Sequence, residues 1–163
     1  MTPKYQNNLS WIEGQWSSIH DLTIPIDDRG LNLGDGIFET IQVLEGKILF
    51  LDRHMNRWHK SAAFLGMNPP PETSWIHSLI NEGLQKLSRT TKDSIIRINW
   101  SRGKSIKRGI DIIDSPIYSS THRFWLDINA GSPKFEAISA VISKQEQRNA
   151  NSAINKCKLF SYA

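Results

Sequence analysis

Cysteine is nearly absent from these 163 residues. Cys157 stands alone, which excludes an internal disulfide and any cysteine-built zinc site, and no metal is expected. No stretch approaches the ~20 consecutive apolar residues of a membrane-spanning helix. No signal peptide opens the chain, so a membrane is not expected as partner and the cytoplasm is the default location. A dense basic face is also missing. The net charge is +4, and apart from "RGKSIKRG" at 102–109 the basic residues are scattered without interleaved aromatics, so nucleic acid is not an expected partner.

What is present is core material. Hydrophobic residues make up 39% against 22% charged, and six tryptophans supply large aromatic side chains, as in a globular chain rather than a disordered one. The length suits one domain with a real core, or one domain plus the start of another.

Period-two patterning dominates on both sides of one helical block. "LSWIEGQWSSI" (9–19) reads as two strands turning at Glu13-Gly14, and "FETIQVL" (38–44), "EGK" and "ILFL" (48–51) as a hairpin. Between them, "DDRGLNLGDGIF" (27–38) reads as a tight loop. Leu51, Met55, Trp58, Ala62 and Leu65 recur at helical spacing, with Asp52 as expected N-cap and Gly66 as stop. A second helix is expected over 74–88, and strands over 94–101, 123–128 and 135–143. The pattern predicts an α+β domain, a mostly antiparallel sheet with both helices on one side, over residues 1–120. Residues 121–134 read as linker and edge strand, and 135–163 as the start of a second, incomplete domain.

The run "DRGLNLGDGIFETIQVLEGKILFLDRHMNRWHKSAAFLGM" (28–67) resembles the opening of the class-IV aminotransferases, the fold-type IV pyridoxal-phosphate enzymes. Asp28 through Thr40 match the family's "D-R-G-x-x-x-G-D-G-x-F-E-T", and His54, Arg57, Ser61 and Ala62 its "H-x-x-R-x-x-x-S-A" helix. "IIRINWSRGKSIKRG" (95–109) and "QRNANSAINKCKLFSY" (147–162) resemble two later family segments. In the last of these the Schiff-base lysine precedes Ser or Asn by three residues and Tyr by four. Ser161 and Tyr162 therefore select Lys158, while Lys156 falls where the family usually has arginine.

The resemblance implies pyridoxal 5′-phosphate as cofactor, Lys158 as catalytic residue, and Arg57 on the phosphate, where a planar guanidinium fork suits two oxygens at once. It also implies Phe38 as a wall of the substrate pocket, Arg97 as the first choice for a substrate carboxylate, and a homodimer in the complete form. Without it, Lys158 reads as a solvent-facing strand lysine, Arg57 as a solvated helix arginine, His54 as structural, and Phe38 as strand core. The implied reaction is amino transfer between an amino acid and a 2-oxo acid, or elimination of pyruvate from 4-amino-4-deoxychorismate toward 4-aminobenzoate and folate. The family's carboxylate for the pyridine nitrogen lies well downstream of the lysine. The alternative is therefore a catalytically inactive truncated remnant that serves as a folded or partner-binding domain, and whether the chain is an enzyme stays open at this point.

Overall fold

The computed structural model describes residues 7–87, 92–104, 110, 121–132, 136–145, 149 and 151–161. Tyr162, named above, lies outside the described residues. Among the described residues the strands are β1 (Asn8–Ile12), β2 (Gln15–Ser17), β3 (Gly36–Leu44), β4 (Lys47–Ile48), β5 (Ser94–Ser101) and β6 (Arg123–Ala130). They form one antiparallel sheet in the order β2-β1-β6-β5-β3-β4. The α-helices among the described residues are α1 (Arg29–Leu33), α2 (Leu51–Phe64) and α3 (Thr73–Lys86).

Both hairpins turn on a Glu-Gly pair. Glu13 and Gly14 have φ of 48° and 87°, and Glu45 and Gly46 of 50° and 81°. Two successive positive φ values give the turn whose twist matches paired strands, and glycine adopts such angles without a Cβ penalty.

α2 and α3 cover the same side of the sheet. Phe124 on β6 meets Trp58 of α2 with ring centroids 6.1 Å apart and Trp75 of α3 at 5.3 Å. Beneath them Ile37, Ile41, Ile96, Ile98, Leu126 and Ile128 are wholly buried. Successive strand residues face opposite ways, so β3 sends Ile37, Glu39, Ile41 and Val43 toward the helices and Phe38, Thr40 and Gln42 to the other face. The expected α+β layering is what the molecule has.

Several expectations need correction. The strand at 123–128 is not at an edge: β6 runs to Ala130 and pairs with β1 on one side and β5 on the other, so residues 123–130 belong to the sheet. Residues 136–143 form no strand, and Ile138, Val141 and Ile142 are almost fully exposed. Alternation proposes a strand, but only a neighbour's backbone groups can complete one, and none of the described residues supplies them. The glycine-rich stretch is not all loop, because α1 forms within it. Asp28 caps that helix through Gly30 N at 2.8 Å, and Gly34 ends it with φ 65°. Finally, α2 is entered through Phe50 at φ 53° rather than capped by Asp52, which lies in the first turn.

Candidate active site

The segment carrying Lys158 is built as an addition to the exposed edge of β3. After a 3-10 turn over Ala153–Lys156 the chain extends alongside residues 36–38. Phe38 N donates to the Lys158 carbonyl at 2.9 Å, Phe160 N donates to the Gly36 carbonyl at 3.0 Å, and Leu159 bridges to Ile37. These bonds anchor the lysine backbone to the sheet, and the pleat then decides where its side chain goes.

Three glycines make room for that segment. A methyl group on Gly36 would stand 2.3 Å from the Phe160 ring, one on Gly30 2.8 Å from the same ring, and one on Gly34 3.0 Å from Ser161 Cβ. The glycines of "RGLNLGDG" therefore serve close approach of the lysine segment.

Lys158 emerges on the face away from the helices. Its Nζ lies 4.7 Å from the centre of the Phe38 ring and donates a long, 3.5 Å hydrogen bond to Thr40 Oγ1. Arg97 stacks on the same ring with Cζ 3.7 Å from its centre and donates from Nε to Asn99 Oδ1 at 2.9 Å. Burial lowers the pKa of this guanidinium, partly offset by Asp127, but arginine starts so high that it stays charged. Phe38, Arg97 and Lys158 are thus brought together: two cations share one aromatic ring.

Arg57 lies on the other side of β3. Its Nε donates to Glu39 Oε1 at 2.6 Å, its second fork arm donates to Glu39 Oε2, and His54 Nδ1 meets that same oxygen at 2.8 Å. Glu39 is 1% exposed, and Arg57 remains half-exposed. Ser61 is buried and donates to the Arg57 carbonyl at 2.9 Å. A cleft of about 620 Å³ opens beside them, lined by Arg53, Arg57, Lys60, Ser61, Lys156 and Cys157. Lys156 accordingly borders the Arg57 cleft, while Lys158 meets the Phe38 face.

Three residues escaped the sequence reading. Glu39 had a readable signal, since an acid at an inward strand position demands partners opposite, and Arg57 and His54 supply them. Asn99 is buried on β5 with its Nδ2 lacking a hydrogen-bond partner, beside Phe38 in the register. Asp127 lies opposite Arg97 on β6. For the last two, strand register was required.

Residues 36–163 match the family described as amino-transferase class IV. The chain belongs to that family. It is similar to D-alanine aminotransferase of Bacillus licheniformis, 27% identical over 136 residues, which is 82% of this chain and 42% of that protein. Among solved structures it is similar to an aminotransferase from Brucella abortus bound to the cofactor PLP. There identity is 25% and the TM-score 0.65, over 80% of this chain and 44% of that one. The branched-chain amino acid aminotransferase of Escherichia coli shares the fold at TM-score 0.76 and 15% identity, over 94% of this chain and 51% of that one. This family member spans less than half the length of the curated relatives it matches. Among the described residues no helix is long and apolar enough to cross a membrane, and no group of His, Cys, Asp and Glu is placed to hold a metal.

Proposed function

We propose that this chain carries the lysine-bearing portion of a pyridoxal 5′-phosphate-dependent aminotransferase that moves an amino group between an amino acid and a 2-oxo acid. The observation that carries the reading is the Lys158 amine over Phe38, anchored by backbone bonds to the β3 edge and flanked by Arg97.

On the Lys158 face the residues present fit the cofactor. Lys158 Nζ donates a long bond to Thr40 and surrenders it cheaply. Asn99 Nδ2 is a buried donor that still wants an acceptor. Arg57 is the phosphate candidate that the family motif supplies; it lies across β3 from Lys158 with its fork fixed on Glu39, and Lys156 rather than Lys158 borders its cleft. The cofactor, when bound, supplies an electron sink for the carbon that carries the amine. Lys158 would hold the cofactor through its amine and would also be the base for the proton at the substrate Cα, a task suited to an amine whose stem is fixed by the sheet. Arg97 orients the substrate carboxylate over Phe38, and the ring excludes water from one side of the reacting carbon. Residues 136–161 belong in this reading to the second, cofactor-carrying domain, and the complete form is a homodimer in the cytoplasm.

The test is chemical. The chain is incubated with excess pyridoxal 5′-phosphate, reduced with borohydride, digested and mapped by mass. The tag is expected on Lys158, and it disappears in Lys158→Ala. A tag on Lys156 with Lys158 clean overturns the assignment. Pyruvate release from aminodeoxychorismate without amino transfer would move the protein to the lyase reaction.

A further inference from the structure

The face of the sheet away from the helices holds a second concavity. Residues 19–24 cover the β1–β6 end of that face and leave a cavity of about 210 Å³. Ile12, Leu22 and Trp125 give it apolar walls, and Ser10, Thr23 and Asp127 are its polar groups. Ligand pockets usually run to about 300–1,000 Å³, so this one takes a small molecule or a terminal group.

Among the described residues Asp127 is the only ionisable side chain in its lining. Oδ1 accepts from Ser10 Oγ at 2.7 Å. Oδ2 receives no hydrogen bond from the described residues. The obvious counter-ion is turned away: Arg97, opposite in register, is committed to the Phe38 ring and Asn99, and no ion pair joins it to Asp127. Burial accordingly raises the carboxyl pKa, against the lowering effects of Ser10 and Arg97. A carboxylate drawn out of water with one oxygen unmatched is costly, and a ligand that brings a donor removes the cost.

We propose that this cavity binds a small alkylammonium group, with Asp127 Oδ2 accepting from the ammonium and the apolar walls taking the carbon chain. Trp125 adds an aromatic ring, which attracts cations and tolerates alkyl groups equally well. An anion meets the Asp127 charge, and a purely apolar guest leaves Oδ2 unmatched. The site goes beyond the aminotransferase reading and makes no use of Lys158 or the cofactor.

The experiment is calorimetric titration of the cofactor-free chain with isobutylammonium chloride at constant ionic strength. Isobutanol and sodium isobutyrate serve as neutral and anionic counterparts. Saturable binding of the ammonium is expected, at least tenfold tighter than isobutanol, with none for isobutyrate. Asp127→Asn keeps the side-chain shape and is expected to weaken binding at least tenfold. Leu22→Trp, which fills the cavity from the covering segment, is expected to abolish it, and this variant decides the matter if Asp127→Asn does not fold. Absence of saturable binding to the wild-type chain overturns the proposal. So does unchanged affinity in a folded Asp127→Asn or Leu22→Trp variant, or isobutanol binding as tightly as the ammonium.

Discussion

Along β3, Ile37, Ile41 and Val43 are wholly buried beneath the helices, while Phe38 and Thr40 meet Lys158 on the opposite face. The same division runs across the sheet. Ile96, Ile98, Leu126 and Ile128 face the helices, and Arg97, Asn99, Trp125 and Asp127 face away. One face consists of hydrocarbon whose burial stabilises the fold at roughly 25 cal/mol per Å². The other carries charged and amide groups whose partial burial works against folding. The difference teaches where chemistry can be placed: on strands held rigid from behind, with the reactive groups in front. Glu39 crosses this division, as an acid on the covered face answered by Arg57 and His54.

Breaking the covered face should have the largest effect. Trp58 is 1% exposed at the centre of the aromatic cluster, and Trp58→Ala is expected to cost about 3–5 kcal/mol. Urea denaturation followed by circular dichroism measures it, and a loss below 1 kcal/mol would contradict this division of labour.

Glu39→Gln probes the exception. The amide keeps the shape and removes the charge that His54 and Arg57 share, so a loss of about 1–3 kcal/mol is expected. Because Arg57 is half-exposed and water compensates part of its loss, the lower end is the expectation. The same variant should retain pyridoxal phosphate less well, which reductive tagging at fixed cofactor concentration reads out.

Gly36→Ala tests how tightly the front face is seated on the sheet. The added methyl group meets the Phe160 ring at 2.3 Å, and overpacking of this kind costs about 1–3 kcal/mol. Leu159 and Phe160 are only partly buried and can yield, so stability should fall by about 1 kcal/mol. Lys158 tagging should fall by much more, because the segment that carries it moves. Equal tagging in variant and parent would show that Gly36 does not seat the lysine.

The smallest effect runs the other way. Asp127 has a pKa raised chiefly by burial, so the native state holds this proton more tightly than the unfolded chain does. The wild type consequently loses stability as the pH rises through the raised value, where native Asp127 ionises. Asp127→Asn removes that loss and should be more stable at neutral pH by about 0.5–1 kcal/mol. The advantage should shrink as the pH falls toward the ordinary aspartate range. An advantage that persists unchanged into acid would point to another cause.

Much of the fold was legible because short-range physics sets it. Glu-Gly pairs dictated both hairpins, helical spacing at Met55, Trp58 and Ala62 dictated the buried stripe of α2, and Gly66 with φ 61° ended it. The family motif brought Lys158, Phe38 and Arg97 to notice before their proximity was known. Less legible was anything that depended on a neighbour. The alternating 136–143 segment lacks a pairing strand among the described residues, whereas β6 has two and turned an expected edge into the interior.

By itself the sequence determined the two hairpins, the two long helices and the family, since these follow from residue identity at fixed spacing. Only the tertiary structure decided that the motif glycines exist to admit Phe160 and Ser161, that Glu39 ties Arg57 to His54, and that Arg97 turns from Asp127 toward the ring shared with Lys158. Those facts join residues 15 to more than 100 positions apart. Contacts across such separations depend on strand order and register, which periodicity along one chain does not specify.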